Sequence, residues 1–265
     1  MRSLWRGAIS FGLVNIPVRL YKASRERELK FKLLHKKDLS EIRYARICKA
    51  DGKEVPWEEI VKGYKWKDGD YVVLADEDFK KANLKKTQSI DIIDFTNEDQ
   101  IDAIYYETPY YLEPEKGAAK AYVLLREALR RSKKVAVGNY VFRQHEHLGV
   151  IKPYGDLLLL NQLRYDAELV DPKDLNIPKK EAVSKNEIDI ALELIDNLTK
   201  PFHPSEYADT YTKEITAVIA QKAKGRRVKI KTQPTTKAPK VHDIMALLKQ
   251  SLQEHKKKPK RRKIA

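Results

Sequence analysis

VAVGNYVFRQHEHLGVIKPYGDLLLLNQL, residues 135–163, is the stretch whose reading decides the fold. It holds three apolar runs of strand length, VAVGNYVFRQH, LGVIKP and DLLLLNQL, separated by very short spacers. The last two meet at Tyr154-Gly155, a hairpin signal. Just upstream, GAAKAYVLLREALRRS (Gly117–Ser132) is an amphipathic helix with Tyr122, Leu125 and Leu129 on one face. Arg130 and Arg131 near its end suit the helix dipole.

Further upstream the period of two continues. SIDIIDF and AIYYETPYYL read as strands, preceded by the short strand YVVLA. Between them Asp76 reads as the N-cap of a short helix, DEDFKKANL. ELKFKLLHK sets Leu29, Phe31 and Leu33 against Lys30, Lys32 and Leu34, and EIRYARIC sets Ile42, Tyr44 and Arg46 against Arg43, Ala45 and Ile47. Phe31 and Tyr44 are expected in the core.

Downstream the pattern turns helical. PKDLNIPKK is a polar connection, and Ser184 with Glu187 forms a capping box opening a helix to about Leu198. Pro201 and Pro204 break the chain, a second helix runs from about Ser205 to Lys224, and Gly225 ends it. KTQPTTKAPK is a linker. VHDIMALLKQSL then places Val241, Met245, Leu248 and Leu252 on one stripe with Ile244 beside it, and a basic tail follows. The expected fold class is mainly β with α: antiparallel strands with an inserted helix, then a helical arm and a flexible basic tail.

Charge directs the functional reading. The chain of 265 residues is formally +15, but residues 221–265 alone hold 16 basic and 2 acidic side chains. The remaining body is close to neutral in four alternating blocks: residues 1–49 are +9, 50–120 are −7, 121–152 are +5 and 153–220 are −6. A near-neutral body can still present a positive face if folding gathers the two basic blocks. Lys30, Lys32, Lys36, Lys37, Arg43 and Arg46 lie on or between two strands, and Arg143 and His145 follow on another. Cations in rows with little aromatic interleaving suit the phosphates of a duplex rather than stacked single strands.

Catalytic signatures are sparse. The chain lacks G-x-x-x-x-G-K, G-x-G-x-x-G, H-E-x-x-H and G-x-S-x-G. Cys48, the single cysteine, has no second cysteine at metal spacing and points to a reducing compartment. His145-Glu146-His147 puts two imidazoles on one strand face without a third ligand nearby, so no metal and no cofactor are expected. No run reaches membrane-spanning length, and the start of the chain does not read as a signal peptide. Three function classes remain: a non-enzymatic clamp on DNA, a general architectural protein coating double-stranded DNA through its tail, and a metal-dependent nuclease built from scattered carboxylates.

Five ordered blocks resemble one family. SFGLVNIPVRLYKA (Ser10–Ala23), EVPWEEIVKGY (Glu54–Tyr64), DYVVLADED (Asp70–Asp78), KGAAKAYVLLREAL (Lys116–Leu129) and LRYDAELVDP (Leu163–Pro172) are similar to prokaryotic Ku. The resemblance implies a β-barrel core over residues 1–230, with an extended bridge at about 30–57 and a helical arm at about 181–225. It also implies a linker at 231–240, a partner-binding helix at 241–254 and a tail at 255–265. The implied activity is non-homologous end joining: a homodimeric ring threads onto double-stranded DNA ends without reading sequence, and recruits and stimulates an ATP-dependent DNA ligase, ligase D. No small-molecule substrate and no membrane are implied, and the location would be the prokaryotic cytoplasm at the nucleoid.

Within that resemblance Val241, Ile244, Met245, Leu248 and Leu252 would dock on the ligase, the alternative being that their helix docks back on its own core. Ile188, Leu192 and Ile195 are candidates for the dimer interface or for packing on the chain's own barrel. Lys256, Lys257, Lys258 and Lys260, with Arg261, Arg262 and Lys263, would be an accessory phosphate anchor. Two departures stand out. Asp51 stands where many relatives carry the second cysteine of C-x-x-C, and Asn139 stands where a cation is common, although Arg143 keeps the later one.

Overall fold

The computed structural model describes residues 1–25, 27–67, 69–82, 88–178, 183–225 and 244–257. Val241, Lys258, Lys260, Arg261, Arg262 and Lys263 lie outside the described residues, as do the side chains of Ile244, Leu252, Lys256 and Lys257. The chain divides into two units, Met1–Asp171 and Pro172–Ala265.

Unit 1 is a closed barrel. In chain order its elements are β1 (Trp5–Phe11), β2 (Val14–Lys22), β3 (Lys62–Lys65), β4 (Tyr71–Leu74), α1 (Asp76–Ala82) and β5 (Ser89–Asn97). There follow β6 (Tyr106–Pro114), α2 (Ala119–Ser132), β7 (Lys134–Phe142), β8 (His145–Tyr154) and β9 (Leu157–Leu163). Seven strands close the barrel in the order β1-β2-β6-β9-β8-β7-β5. All neighbours are antiparallel except β1 and β5, which pair in parallel through Ala8↔Ser89, Ile9↔Ile90 and Ser10↔Asp91. The three runs of residues 135–163 form three consecutive strands, β7, β8 and β9, as their periodicity predicts.

Alternation along each strand sends one set of side chains inward. Ile9, Ile16, Val18, Leu20, Ile90, Leu112, Ile151, Leu158 and Leu160 are buried in one cluster, and Tyr122, Leu125 and Leu129 of α2 pack into it. Gly7 marks a close approach at the closure: a Cβ there would lie 2.3 Å from the Gln88 carbonyl oxygen. The Tyr122 hydroxyl links helix to barrel, donating to the Leu112 carbonyl at 2.7 Å and accepting from the Leu158 N–H at 2.6 Å. Burial and the short supply of water around it push the Tyr122 phenol above its ordinary pKa. Arg126 and Arg130 of α2 donate to the carbonyls of Asp156 and Gly155, pinning the helix to the β8–β9 turn.

Between β2 and β5 the structure departs from the expectation. ELKFKLLHK and EIRYARIC form no strands; isolated bridges at Leu34↔Glu41 and Ile47↔Glu54 are the only ladder contacts there among the described residues. Phe31 is 71% and Tyr44 79% exposed, so neither is core. The alternation is real, but a closed barrel has no free edge to extend and no second layer covers these side chains. β3 and β4 form a separate two-stranded sheet with Tyr64, Trp66 and Tyr71 exposed. Asp76 lies inside α1 rather than capping it; the Ala75 N–H is satisfied by the Asp78 carboxylate at 3.0 Å.

Unit 2 contains α3 (Lys185–Leu198), α4 (Thr210–Ala223) and α5 (Ile244–Lys257). The Ser184–Glu187 capping box forms as predicted. α4 starts later than expected because Asp209 caps it, its carboxylate accepting from Thr212 N at 3.0 Å. Gly225 follows α4 with φ +66°, the left-handed backbone a helix stop favours. α5 packs against α3, and it runs on through Lys256 and Lys257, which belong to its last turn rather than to a tail. Cations are favourable at that end of the helix dipole.

Tyr122→Phe is expected to destabilise the barrel by about 1–3 kcal/mol, because it strips a hydrogen-bond partner from a buried carbonyl and a buried N–H. Tyr21→Phe, which loses hydrogen bonds only to the exposed side chains of Glu113 and Arg19, is the control, with a change under about 1 kcal/mol in urea denaturation.

Candidate nucleic-acid interface

Two hollows meet at the end of β2. The first, of about 450 Å³, lies between the start of the chain and the exit from β2. Among the described residues Arg2, Lys22, Arg25 and Lys30 line it with Met1, Leu4, Tyr21 and Ser24. Lysine and arginine side chains gathered on one hollow raise the local positive potential, which favours an anion there. The second hollow, of about 340 Å³, is lined by Lys22, Arg143, His145 and His147 with Thr108, Tyr110 and Gln162. Glu107 is its single carboxylate among the described residues, and it accepts a hydrogen bond from Gln162 Nε2 at 2.7 Å. Leu4 and Lys22 line both hollows, so the two adjoin.

The β7–β8 hairpin explains the place of Arg143. Phe142 pairs with His145, leaving a two-residue turn of Arg143 and Gln144. Both have positive φ, 52° and 68°, the signature of a type I′ turn. Such turns favour Asn-Gly, since a Cβ is strained at those angles. Here the strain is accepted at an arginine whose guanidinium lies over the Phe142 ring, 5.1 Å from its centroid. His147 is held by its neighbours, its Nε2 3.3 Å from the Phe142 carbonyl and its ring 5.5 Å from Tyr140.

The predicted cations divide accordingly. Lys30, Arg143 and His145 converge on this tract, although Lys30 and Arg143 are far apart in sequence. Lys32, Lys36, Lys37, Arg43 and Arg46 line neither hollow. They sit on the excursion between β2 and β5, where Lys32 pairs with Glu41 at 2.5 Å and Arg43 with Glu54 at 3.7 Å. Arg46 stacks over Trp57 at 4.5 Å. Lys36 and Lys37 are exposed on a tight loop closed by His35 N–H to Ser40 O and Leu39 N–H to His35 O. Asp38 organises that loop: the Ser40 N–H, the Ser40 hydroxyl and His35 hold its carboxyl below the usual aspartate range.

Sequence reasoning missed Arg2, Lys22 and Arg25. Their signal was in the +9 block of residues 1–49, but they flank the strands that periodicity selects. Asn139 is turned to a structural task, donating to Glu146 at 3.0 Å. Several carboxylates of the acidic blocks serve similarly. Glu115 binds Arg6 and Arg19, which lower its pKa, and Glu98 pairs with Lys152. Among the described residues no cluster of three His, Cys, Asp or Glu is placed to hold a metal ion. No helix among them is long and apolar enough to cross a membrane.

Comparison with known proteins bears on the same region. The family model described as the Ku70/Ku80 beta-barrel domain matches residues 10–190, from the end of β1 through β9 and into α3. The chain belongs to the Ku family. A protein named non-homologous end joining protein Ku from Opitutus terrae is 43% identical over 265 residues, covering 98% of this chain and 95% of that one. Proteins of the same name from Coxiella burnetii and Bacillus subtilis are 38% and 34% identical, covering 98% and 95% of this chain and 97% and 82% of theirs. The closed barrel with an outgrowth between β2 and β5 is thus the Ku barrel, and both hollows lie on it.

Arg25→Ala is expected to weaken duplex DNA binding for all sequences alike and to flatten the dependence of log K on log salt by about 0.9, one phosphate contact. Fluorescence anisotropy across a salt series checks both. Asp38 has its folded-state pKa below its unfolded value, so its contribution to loop order is full at neutral pH. That contribution is lost as pH falls below about 4 and through the depressed value. Amide exchange at Leu39 and Ser40 should rise there, relative to the intrinsic rate, and Asp38→Asn should abolish the pH dependence.

Proposed function

We propose that this Ku-family chain binds double-stranded DNA ends as a homodimeric ring in non-homologous end joining, without catalysing a reaction. The observation that carries the reading is the adjoining pair of hollows lined by Arg2, Lys22, Arg25, Lys30, Arg143 and His145 on a barrel whose relatives bear that name. Broken ends have arbitrary sequence, so base-edge readout would not serve. Lysine and arginine on phosphates give affinity without sequence information. A closed ring adds topology, because threading needs a free end.

Exposed apolar side chains support a second copy. Phe31, Leu33, Tyr44 and Trp57 on the excursion and Ile188, Leu192 and Ile195 on α3 are more than a monomer needs to leave in water. A single chain type implies a two-fold dimer with a self-complementary interface. In this reading Lys32, Lys36, Lys37, Arg43 and Arg46 lie on the bridge that encircles the duplex. α5, with Ile244, Met245, Leu248 and Leu252, recruits and stimulates ligase D. The basic segment from Lys258 to Lys263 anchors non-specifically on phosphate, and the working location is the prokaryotic cytoplasm at the nucleoid.

The test compares linear and closed-circular DNA of one sequence, using a chain truncated after Lys257, with molar mass determined in the same buffer. A dimer that prefers the linear form at least tenfold, about 1.4 kcal/mol, is expected. Equal affinity for both forms would replace the ring by a coating protein.

A further inference from the structure

α3 carries two apolar stripes, not one. Ile190, Ala191 and Leu194 fall on one side and are half-buried, while Ile188, Leu192 and Ile195 fall about a third of a turn away and are exposed. α5 packs against α3. On α5, Met245, Leu247 and Leu248 are half-buried too. The stripe by which α5 would dock on another protein is thus already partly covered within unit 2.

We infer that α3 and α5 form an intramolecular clasp that competes with the ligase for α5, so that α5 engages its partner only after leaving α3. This rests on the reading of α5 as the ligase-binding element. A helix of fourteen residues is marginal alone in water, so α5 needs an apolar surface beside it to stay helical. α3 supplies that surface in the free chain and a groove on the ligase supplies it in the complex; both would use Met245 and Leu248. The α3 side is modest: Ala191 sits between Ile190 and Leu194 and offers a single methyl. A small contact of this kind suits exchange rather than permanent docking. Tethering holds α5 at high effective concentration, so even a weak clasp lowers the fraction of α5 open to a partner.

The exposed stripe of α3 is a different surface. It is free for a second copy whether or not α5 is docked, so dimerisation and release of α5 are separable.

The experiment uses the full chain with four variants. Leu194→Asp and Ala191→Glu disturb the clasp from α3, Leu248→Asp removes the shared residue from α5, and Ile188→Asp is the control on the exposed stripe. Hydrogen exchange of α5 amides in the free protein and titration with ligase D are the readouts; an unchanged far-ultraviolet circular dichroism spectrum verifies the fold of each variant. Leu194→Asp and Ala191→Glu should speed α5 exchange and tighten ligase binding about tenfold. Leu248→Asp should speed exchange and abolish ligase binding, and Ile188→Asp should alter neither. Exchange indifferent to the two clasp variants would overturn the clasp. Ligase binding weakened by them would overturn the competition, since α3 and α5 would then form one composite surface. Exchange that responds while ligase binding ignores all four variants would overturn it differently, by removing the ligase from α5.

Discussion

The parallel pairing of β1 with β5 is the contact on which unit 1 depends. It joins residues 8–10 to residues 89–91, so the chain must leave the barrel after β2 and return to the strand beside β1. Such non-local closure carries a large loop entropy. It is opposed by buried side chains on both sides of the seam, Ile9 and Ile90 among them, both fully buried. Gly7 permits the approach, since any side chain there would meet the Gln88 carbonyl.

Closure has a second effect. Once the seven strands are joined end to end, the barrel has no edge left for the intervening chain to extend and no inner face left for it to cover. The excursion therefore stands out with Phe31 and Tyr44 in water, although its sequence alternates like a strand. The basic hollows arise at its root, where the chain departs from β2, and the β7–β8 hairpin delivers Arg143 and His145 to the same end of the barrel.

These arrangements explain what was legible beforehand. β7, β8, β9 and α2 could be read because their pattern is decided locally: alternation for a half-buried strand, spacing of Tyr122, Leu125 and Leu129 for the helix. The capping box at Ser184 was legible for the same reason. The strands assigned at Glu28–Lys36 and Glu41–Cys48 failed because periodicity reports what a segment could bury, not whether a surface exists to receive it. In the candidate interface, Lys30, Arg143 and His145 were found by charge and resemblance. Arg2, Lys22 and Arg25 were not, because only the path of the chain after β2 brings them together. The expected end of the last helix was short for a simpler reason: a run of lysines looks like a tail, yet it suits the terminal turn of a helix.

The Arg143–Gln144 turn has a consequence for how this protein would respond to selection. At both positions glycine or asparagine would relax the backbone, so a screen for thermal robustness alone should drift toward Asn-Gly at this hairpin tip. That change would remove the guanidinium from the hollow beside Lys22. Robustness and affinity for a polyanion are thus set against each other at one dipeptide, and retention of Arg143 under such a screen measures how strongly the charge is needed.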